Sequence, residues 1–478
     1  MLGKWNMASA AAAVDGRLHG ASLPFTRIVS DSRDDCNDSL FVALRGDRFD
    51  GHNYIKAAAN KGAVGVLACN TTTALPHISV QSTTRALVLL GKYNRQRSQA
   101  KICCVTGSSG KTTICNMLHS ILRTAAGDKQ VHATRANHNN EIGVAQTLLD
   151  IAPSHHQVVV EMGARRPGDI AWLTKIAQPT TSLISSIGHS HLELMPSLDA
   201  VAREKSSIFA PSPEHRPDFA LAPVQAVQSF RLFDGLDGST IPLTFGLASD
   251  GADAALSNLA LTANQSQASL SLPATAGRKA TMVQIRIKVS GAHQLHNAAG
   301  AALTAWVNGI DTAAITRGLV AYSSSPGRQY TQTRGNLTLI NDCYNANPDS
   351  TAAALACLAL YHPAVSLAIL GDMLELGQKS TTLHQQIGKQ AAQLGINCLI
   401  TYGTQAKLLG ASYQQHLPQG KWQHFSDQPT LIKHLSIQIA HSAKRKEIAV
   451  LVKGSRGMHM ESIVEAIASL SLPLTTRD

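Results

Sequence analysis

Aromatic residues are scarce. The 9 Phe, 4 Trp and 8 Tyr make up only 4% of 478 residues, poor material for stacking the bases of a single nucleic-acid strand. Charge is thin as well, 15% against 44% hydrophobic, so the composition is that of a folded protein and not a disordered one. The eight cysteines (36, 69, 103, 104, 115, 343, 357 and 398) include no C-x-x-C pair. Buried reduced thiols in a cytosolic protein are the simplest reading. No hydrophobic run suits a membrane span: Thr351 to Leu370 is uncharged, but His362-Pro363 splits it into a helix and a strand. The alanine-rich stretch near the start is short and ends at Asp15, so a small helix is expected there and not a signal peptide. No basic tail exists; Lys444, Arg445 and Lys446 are the densest cluster, and a solvated helix end accounts for them. There is no short repeat and no low-complexity tract.

Basic residues nevertheless outnumber acidic ones, 42 to 31, for a formal charge of +11. That favours anionic partners: nucleic acid, a membrane surface, or phosphorylated small molecules. At ~150 residues per domain the length suggests about three domains, and three regions separate by pattern. Residues 1–98 carry short strands and a helix ahead of a polar segment. From 99 to 325 strands and helices alternate (KICCVTG, TTICNMLHSILRT, QVVVEMG, DIAWLTKIA, TSLISSIG, SLDAVAREKSSIF), which argues for a doubly wound, mostly parallel sheet. Flanking strands follow at 211–290, then a helix at Asn297 to Trp306. The segment SSSPGR (323–328) reads as a linker, and 326–478 holds a second βα series. The fold class is therefore α/β in three domains.

The strongest local signal is VTGSSGKTT, residues 105–113. A hydrophobic strand enters a Gly-rich turn, then Gly110-Lys111-Thr112, then an amphipathic helix. Such a loop wraps backbone N–H groups around a phosphate, and the helix N-terminus adds positive potential. Lys111 suits the β- and γ-phosphates and the Thr112 hydroxyl suits Mg²⁺. Two residues, not four, separate Gly107 from Gly110, so this is a compact variant. Glu161 ends a strand beside the loop, where a Mg²⁺ ligand belongs. Other residues read equally as function or as ordinary loop. They are Asp31-Ser32-Arg33, the Gly46–His52 segment and Asn137 to Gly143, whereas His189, His191 and Glu193 read first as polar loop residues. Lys205 reads on its own as a solvated lysine. Arg328 lies just past the linker, where a cation can reach a γ-phosphate. Asp342, Tyr344, Asn345 and Asn347 follow the first strand of the third region, and Lys453 to Arg456 follow its last strong strand. Both groups would face the phosphate loop if the domains close.

Together these segments resemble the Mur ligases, ATP-dependent enzymes that extend the peptide of the peptidoglycan precursor. The carrying motifs are SDSR (30–33), SLFVALRGDRFDGH (39–52), TGSSGKTT (106–113), NHNNEIG (137–143), VVEMGA (159–164), HLE (191–193) and REKSSIF (203–209). The third region adds NDCYNANPDS (341–350), LGDMLELG (370–377) and VLVKGSRGMHME (450–461). YNANPDS and GDMLELG point to the branch that joins D-alanyl-D-alanine to UDP-N-acetylmuramoyl-tripeptide. The rival readings are a Mur ligase adding diaminopimelate or lysine and, from another class, a P-loop switch or nucleic-acid-dependent ATPase.

The resemblance implies an N-terminal UDP-sugar domain, a central ATPase domain and a Rossmann-like C-terminal ligase domain. It implies that Thr106, Gly107, Ser108, Ser109, Gly110, Lys111, Thr112 and Thr113 hold ATP, with His293, Gln294 and Asn297 on the adenine side. Arg328, Asp342 and Tyr344 would contact the γ-phosphate, the ribose and the nucleotide's surroundings. Thr112 and Glu161 would hold one Mg²⁺. His191 and Lys205, the latter carbamylated by CO₂, would serve a second. Ser30, Ser32, Arg33, Asn137, Asn139, Asn140, Asn345, Asn347 and Asp349 would meet the substrates. Lys111, Lys205, His191 and Arg328 would be catalytic. The family's adenine motif usually reads G-R-H-N; here it is Gly291-Ala292-His293-Gln294, with the later Asn297 retained. The resemblance further implies a cytoplasmic monomer with no nucleic-acid partner and no membrane insertion.

Overall fold

The structure, a computed structural model, describes residues 1–46, 49–69, 73–210, 215–275, 277–362, 365–443 and 446–470. Asp47 and Arg48 of the second motif, Pro363, and the Lys444-Arg445 pair lie outside the described residues. Three large sheets follow one another along the chain, and a two-stranded antiparallel pair, Trp5–Asn6 with Pro24–Phe25, belongs to the first region.

The first has five strands in the order Arg17–His19, His77–Ser79, Ala63–Ala68, Ser39–Val42, Arg27–Val29. All neighbours are parallel except the first pair. The alanine-rich start folds as the helix Met7–Ala13, closed by a capping box on Asn6, which satisfies orphan backbone donors at its N-terminus. The helix Thr83–Gln96 sits at the seam with the next unit. Its Leu87, Val88 and Leu90 share one buried cluster with Val144 and Leu148 of the helix Glu141–Leu149. At Gly91 a Cβ would stand 2.9 Å from the Ala145 carbonyl oxygen, so the two helix backbones meet where only glycine fits. Asn94 completes the seam by donating to the Leu148 carbonyl at 2.8 Å.

The second sheet has nine strands. Val131–Ala133, Gln157–Glu161, Lys101–Thr106, Thr181–Ile184, Phe219–Pro223, Ile241–Leu247 and Ala254–Leu261 run parallel; Ser266–Leu272 and Thr281–Ile287 add an antiparallel edge. Alternate residues of its central strand face opposite layers. Cys103 and Val105 pack under the helices Lys111–Ala126 and Ala292–Val307, whereas Ile102 and Cys104 pack toward Asp169–Ala177. That is the two-sided burial a doubly wound sheet requires, and each buried Leu or Ile contributes roughly 1.5–3 kcal/mol. The helix expected at Asn297 to Trp306 begins earlier, at Ala292. This puts His293, Gln294 and Asn297 on its first two turns.

The third sheet runs Tyr330–Arg334, Leu337–Asn341, Ile448–Lys453, Val365–Gly371, Cys398–Tyr402, Lys421–Phe425, with only the first pair antiparallel. The uncharged stretch does divide, into the helix Pro348–Leu358 and the strand Val365–Gly371. No described helix is long and apolar enough to cross a membrane. All eight cysteines are free; six are buried and Cys69 and Cys398 are partly exposed.

Candidate active site

The phosphate loop is built by the end of the strand Lys101–Thr106 and the start of the helix Lys111–Ala126. Gly107 takes φ 145°, and a Cβ there would fall 2.0 Å from Ser185 Oγ. Gly110 takes φ 81° as the helix N-cap. The neighbouring loop holds the turn: Ser108 N–H donates to the Ser186 carbonyl and Ser109 N–H to Ser186 Oγ, both at 2.9 Å. Lys111 curls back so that Nζ donates to the Gly107 carbonyl at 2.7 Å. Burial lowers its pKa, Glu161 opposes that shift, and the nearby Arg328 adds to it. A cation disfavoured by burial is stabilised by an anion bound beside it.

Glu161 ends its strand directly beside Val105 and is 2% exposed. Its Oε2 accepts the Thr112 hydroxyl at 2.7 Å and its Oε1 accepts the Asn139 amide at 2.8 Å. Octahedral Mg²⁺ with ligands at 2.0–2.1 Å places adjacent oxygens roughly 2.9 Å apart. The Thr112–Glu161 oxygen pair therefore fits one edge of such a shell with little adjustment. Among the described residues no group of three or more His, Cys, Asp or Glu gathers to hold a metal, so any Mg²⁺ here would complete its shell with phosphate and water.

His191 stands in a left-handed turn, φ 55°, with Nδ1 2.6 Å from Glu375 Oε2. The hydrogen bond to His191 draws the Glu375 carboxyl below its ordinary pKa. Lys205, on the helix Leu198–Ser206, is not the solvated lysine that its sequence neighbours suggest. It is 1% exposed. Burial, aided by the Lys111 charge and opposed by Glu204, brings its pKa down to about 7. Glu204 is engaged elsewhere, accepting the N–H groups of Gly168 and Ile170. Lys205 itself does not line the cavity described below.

From the third unit, Arg328 lies 4.0 Å above the Tyr344 ring, with Arg456 5.5 Å from it. Asp342 accepts Lys453 Nζ at 2.6 Å through Oδ2 and Gln329 N–H at 3.0 Å through Oδ1. Asn347 caps the helix Pro348–Leu358 through Ser350 N–H and donates Nδ2 to Ser109 Oγ at 3.0 Å. Asp349 accepts His189 N–H at 2.9 Å. Asn345 accepts Ala346 N–H and Arg456 N–H.

These groups converge on one cavity of about 1820 Å³. Its walls include Ser108 to Thr113, Asn137, Asn139, Asn140, Glu161, His191, His293, Gln294, Asn297, Arg328, Asp342, Tyr344, Asn345, Asn347, Asp349 and Lys453. Burial takes the His293 imidazole down to about 4, so it is neutral here at neutral pH. Asn140 also caps the helix Glu141–Leu149 through Gly143 N–H, which is a structural task. Thr106 and Gly107 lie behind the loop and are not among the lining residues. Ser30, Ser32 and Arg33 do not line the cavity either. Ser30 accepts Gln146 Nε2 from the central unit at 3.1 Å, while Arg33 is exposed and paired to Asp31. Sequence reasoning gave no role to Asn139's grip on Glu161, to Glu375 or to Gln329. Glu375 lay within a quoted motif; Gln329 carried no signal beyond its place after Arg328.

Comparison with known proteins agrees with this geometry. The Mur ligase middle domain family matches residues 105–305, and the Mur ligase, glutamate ligase domain family matches 328–456. The UDP-N-acetylmuramoyl-tripeptide–D-alanyl-D-alanine ligase of Escherichia coli (strain K12) is 32% identical over 457 residues, covering 95% of this chain and 96% of the relative. A crystal structure of MurF from Acinetobacter baumannii superposes with a TM-score of 0.84 at 28% identity, covering 97% of this chain and 98% of that one. The Thermotoga maritima MurF ligase in complex with ADP superposes at 0.77 and 25% identity, covering 92% and 96%. With a phosphate loop, an acidic strand end and third-unit loops meeting at one cleft, and with relatives aligned over nearly its whole length, the chain belongs to the Mur ligase family.

Proposed function

We propose that this protein uses ATP to join D-alanyl-D-alanine to UDP-N-acetylmuramoyl-tripeptide, forming the pentapeptide precursor of peptidoglycan. The observation that carries the reading is the contact of Asn347 with Ser109. It brings the third unit's loop onto the phosphate loop and gives one cleft room for nucleotide and both peptides. A carboxylate is a poor acylating agent and needs activation. Its oxygen attacks the γ-phosphorus, the bond to the β–γ bridging oxygen breaks, and ADP leaves with that electron pair. The free amine of D-alanyl-D-alanine then attacks the acyl phosphate carbon; the C–O bond to phosphate breaks and the amine's proton passes to solvent.

Phosphoryl transfer asks mainly for positioning and charge neutralisation. Lys111 from the central unit and Arg328 from the third supply positive charge to the same cleft. The loop N–H groups and the helix N-terminus bind the phosphates. Glu161 and Thr112 would hold one Mg²⁺, and His191 with carbamylated Lys205 would hold a second. Such ions neutralise charge on the phosphate oxygens. A lysine amine with pKa about 7 is substantially neutral at neutral pH, as attack on CO₂ requires. Contact between the third unit and the loop excludes water from the acyl phosphate.

In this reading residues 1–98 form the UDP-sugar unit, with Ser30, Ser32 and Arg33 toward the nucleotide end of the acceptor; 99–325 and 326–478 form the ATPase and ligase units. All reacting groups come from a single chain, so a monomer suffices, and soluble nucleotide substrates fit a cytoplasmic enzyme. Incubation with ATP, Mg²⁺, UDP-N-acetylmuramoyl-tripeptide and D-alanyl-D-alanine should yield the pentapeptide by mass spectrometry. A product carrying one added diaminopimelate or lysine, or ATP hydrolysis driven by nucleic acid, would replace this reading.

A further inference from the structure

Arg328 is held between two left-handed residues, Gly327 at φ 77° and Gln329 at φ 56°. For glutamine that conformation is uncommon and needs outside support. The support comes from both sides. Gln329 N–H donates to Asp342 Oδ1 at 3.0 Å. Its side chain turns inward, is 7% exposed, and donates Nε2 to the Ser290 carbonyl at 2.7 Å. Its Oε1 accepts Gln294 Nε2 at 2.7 Å. Gln294 Oε1 in turn accepts Asn297 Nδ2 at 3.3 Å. Asn297 lies against the phosphate loop, where a Cβ on Gly110 would be 2.5 Å from Asn297 Oδ1. A buried run of amides thus leads from the loop glycine, along the helix Ala292–Val307, to the residue after Arg328.

We propose that Gln294 is a positioning residue for Arg328: by clamping Gln329 it fixes the linker backbone and so the place of the guanidinium in the cleft it shares with the phosphate loop. The inference rests on the reading that this cleft transfers the γ-phosphoryl group of ATP. It gives the departure from G-R-H-N a physical content. Asparagine at this position is shorter by one carbon–carbon bond, about 1.5 Å, and does not span to Gln329 as placed. Glutamine does, and its amide oxygen and nitrogen are both engaged within the protein.

The test uses the full chain and the variants Gln294→Asn, Gln294→Met and Gln329→Ala. We expect kcat for pentapeptide formation to fall on the order of tenfold, the scale of a misplaced charge-stabilising group. The KM for ATP and the ADP Kd from calorimetry should stay within about twofold. In an Arg328→Ala background Gln294→Asn should cost nothing further, which a merely structural role would not produce. Hydrogen exchange at the amides of residues 325–329 should quicken in Gln294→Asn without nucleotide. That readout is independent of turnover. If the wild type made no pentapeptide, the functional reading alone would fail and exchange would still decide the clamp. A loss confined to KM and Kd would assign Gln294 to the adenine and overturn the proposal. So would multiplicative losses with Arg328→Ala, unchanged kcat, or unchanged exchange. Should Gln294→Met not fold, Gln294→Asn and Gln329→Ala carry the same decision.

Discussion

His191 and Glu375 meet at 2.6 Å, one from the loop after a central strand of the nine-stranded sheet, the other from the loop after the strand Val365–Gly371. With Asn347–Ser109, Asp349–His189 and the bonds of Gln329 to Ser290 and Gln294, this pair belongs to a set of polar contacts between the two units. The side chains are 28% and 58% exposed, so solvent screens the pair and its net worth is small. Glu375→Gln should lower stability by less than about 1 kcal/mol in urea denaturation. Its effect belongs on domain placement: the scattering profile without nucleotide should shift toward a larger radius. An unchanged profile would show that the remaining contacts suffice.

Lys111→Ala should abolish pentapeptide synthesis, by a factor of about 100 or more, with the circular dichroism spectrum retained. The hydrogen bonds of the ammonium go to carbonyls of its own loop, so its loss leaves the sheet intact. Retained turnover would remove the phosphate role assigned to it.

Glu161→Gln keeps the shape of a 2%-exposed side chain but removes the carboxylate charge. The Mg²⁺ concentration giving half-maximal rate should rise by about tenfold or more, with the requirement for D-alanyl-D-alanine unaltered. An unchanged Mg²⁺ dependence would place the ion elsewhere.

Lys205 gives a pH dependence of definite sign. Its folded pKa, about 7, is below its ordinary 10.5. Between these values the unfolded chain binds more protons, so the stability of bicarbonate-free protein should rise with pH across that window. Below about 7 both states hold the proton and the contribution stays at its least favourable level. Lys205→Met should remove this component of the slope, seen by comparing urea melts at pH 6 and pH 9. Activation by bicarbonate should likewise climb through pH 7 as the amine becomes neutral, and be absent in the variant.

Asp342→Asn leaves Lys453, 3% exposed, without its charge partner. An uncompensated buried ammonium costs about 3 kcal/mol or more, readable as a lowered denaturation midpoint. The change also weakens the anchor of Gln329 N–H.

Much of this was legible before any coordinates. The phosphate loop announces itself because strand, glycines, lysine, hydroxyl and helix must occur consecutively; Glu161 follows from a strand that ends in an acid. Burial was not legible. Lys205 sits in a helix with charged neighbours, and only tertiary packing turns it into a group with a shifted pKa. Partners far apart in sequence were hidden for the same reason. Nothing local says that Asn139 grips Glu161 or that Gln294 reaches Gln329. The helix begins at Ala292, earlier than the apolar pattern indicates, because His293, Gln294 and His296 interrupt that pattern with side chains that line the cleft.

The distribution of thiols has a practical use. Six of the eight are sequestered, and burial pushes those of Cys103 and Cys357 up to about 12. Cys69 follows the strand Ala63–Ala68 in the first unit and Cys398 begins the strand Cys398–Tyr402 in the third. The chain therefore carries one partly exposed thiol in its first unit and one in its third. A pair of spin labels or a donor–acceptor dye pair placed there would report the outer units' separation during turnover, with no engineered cysteine and no background residue to delete.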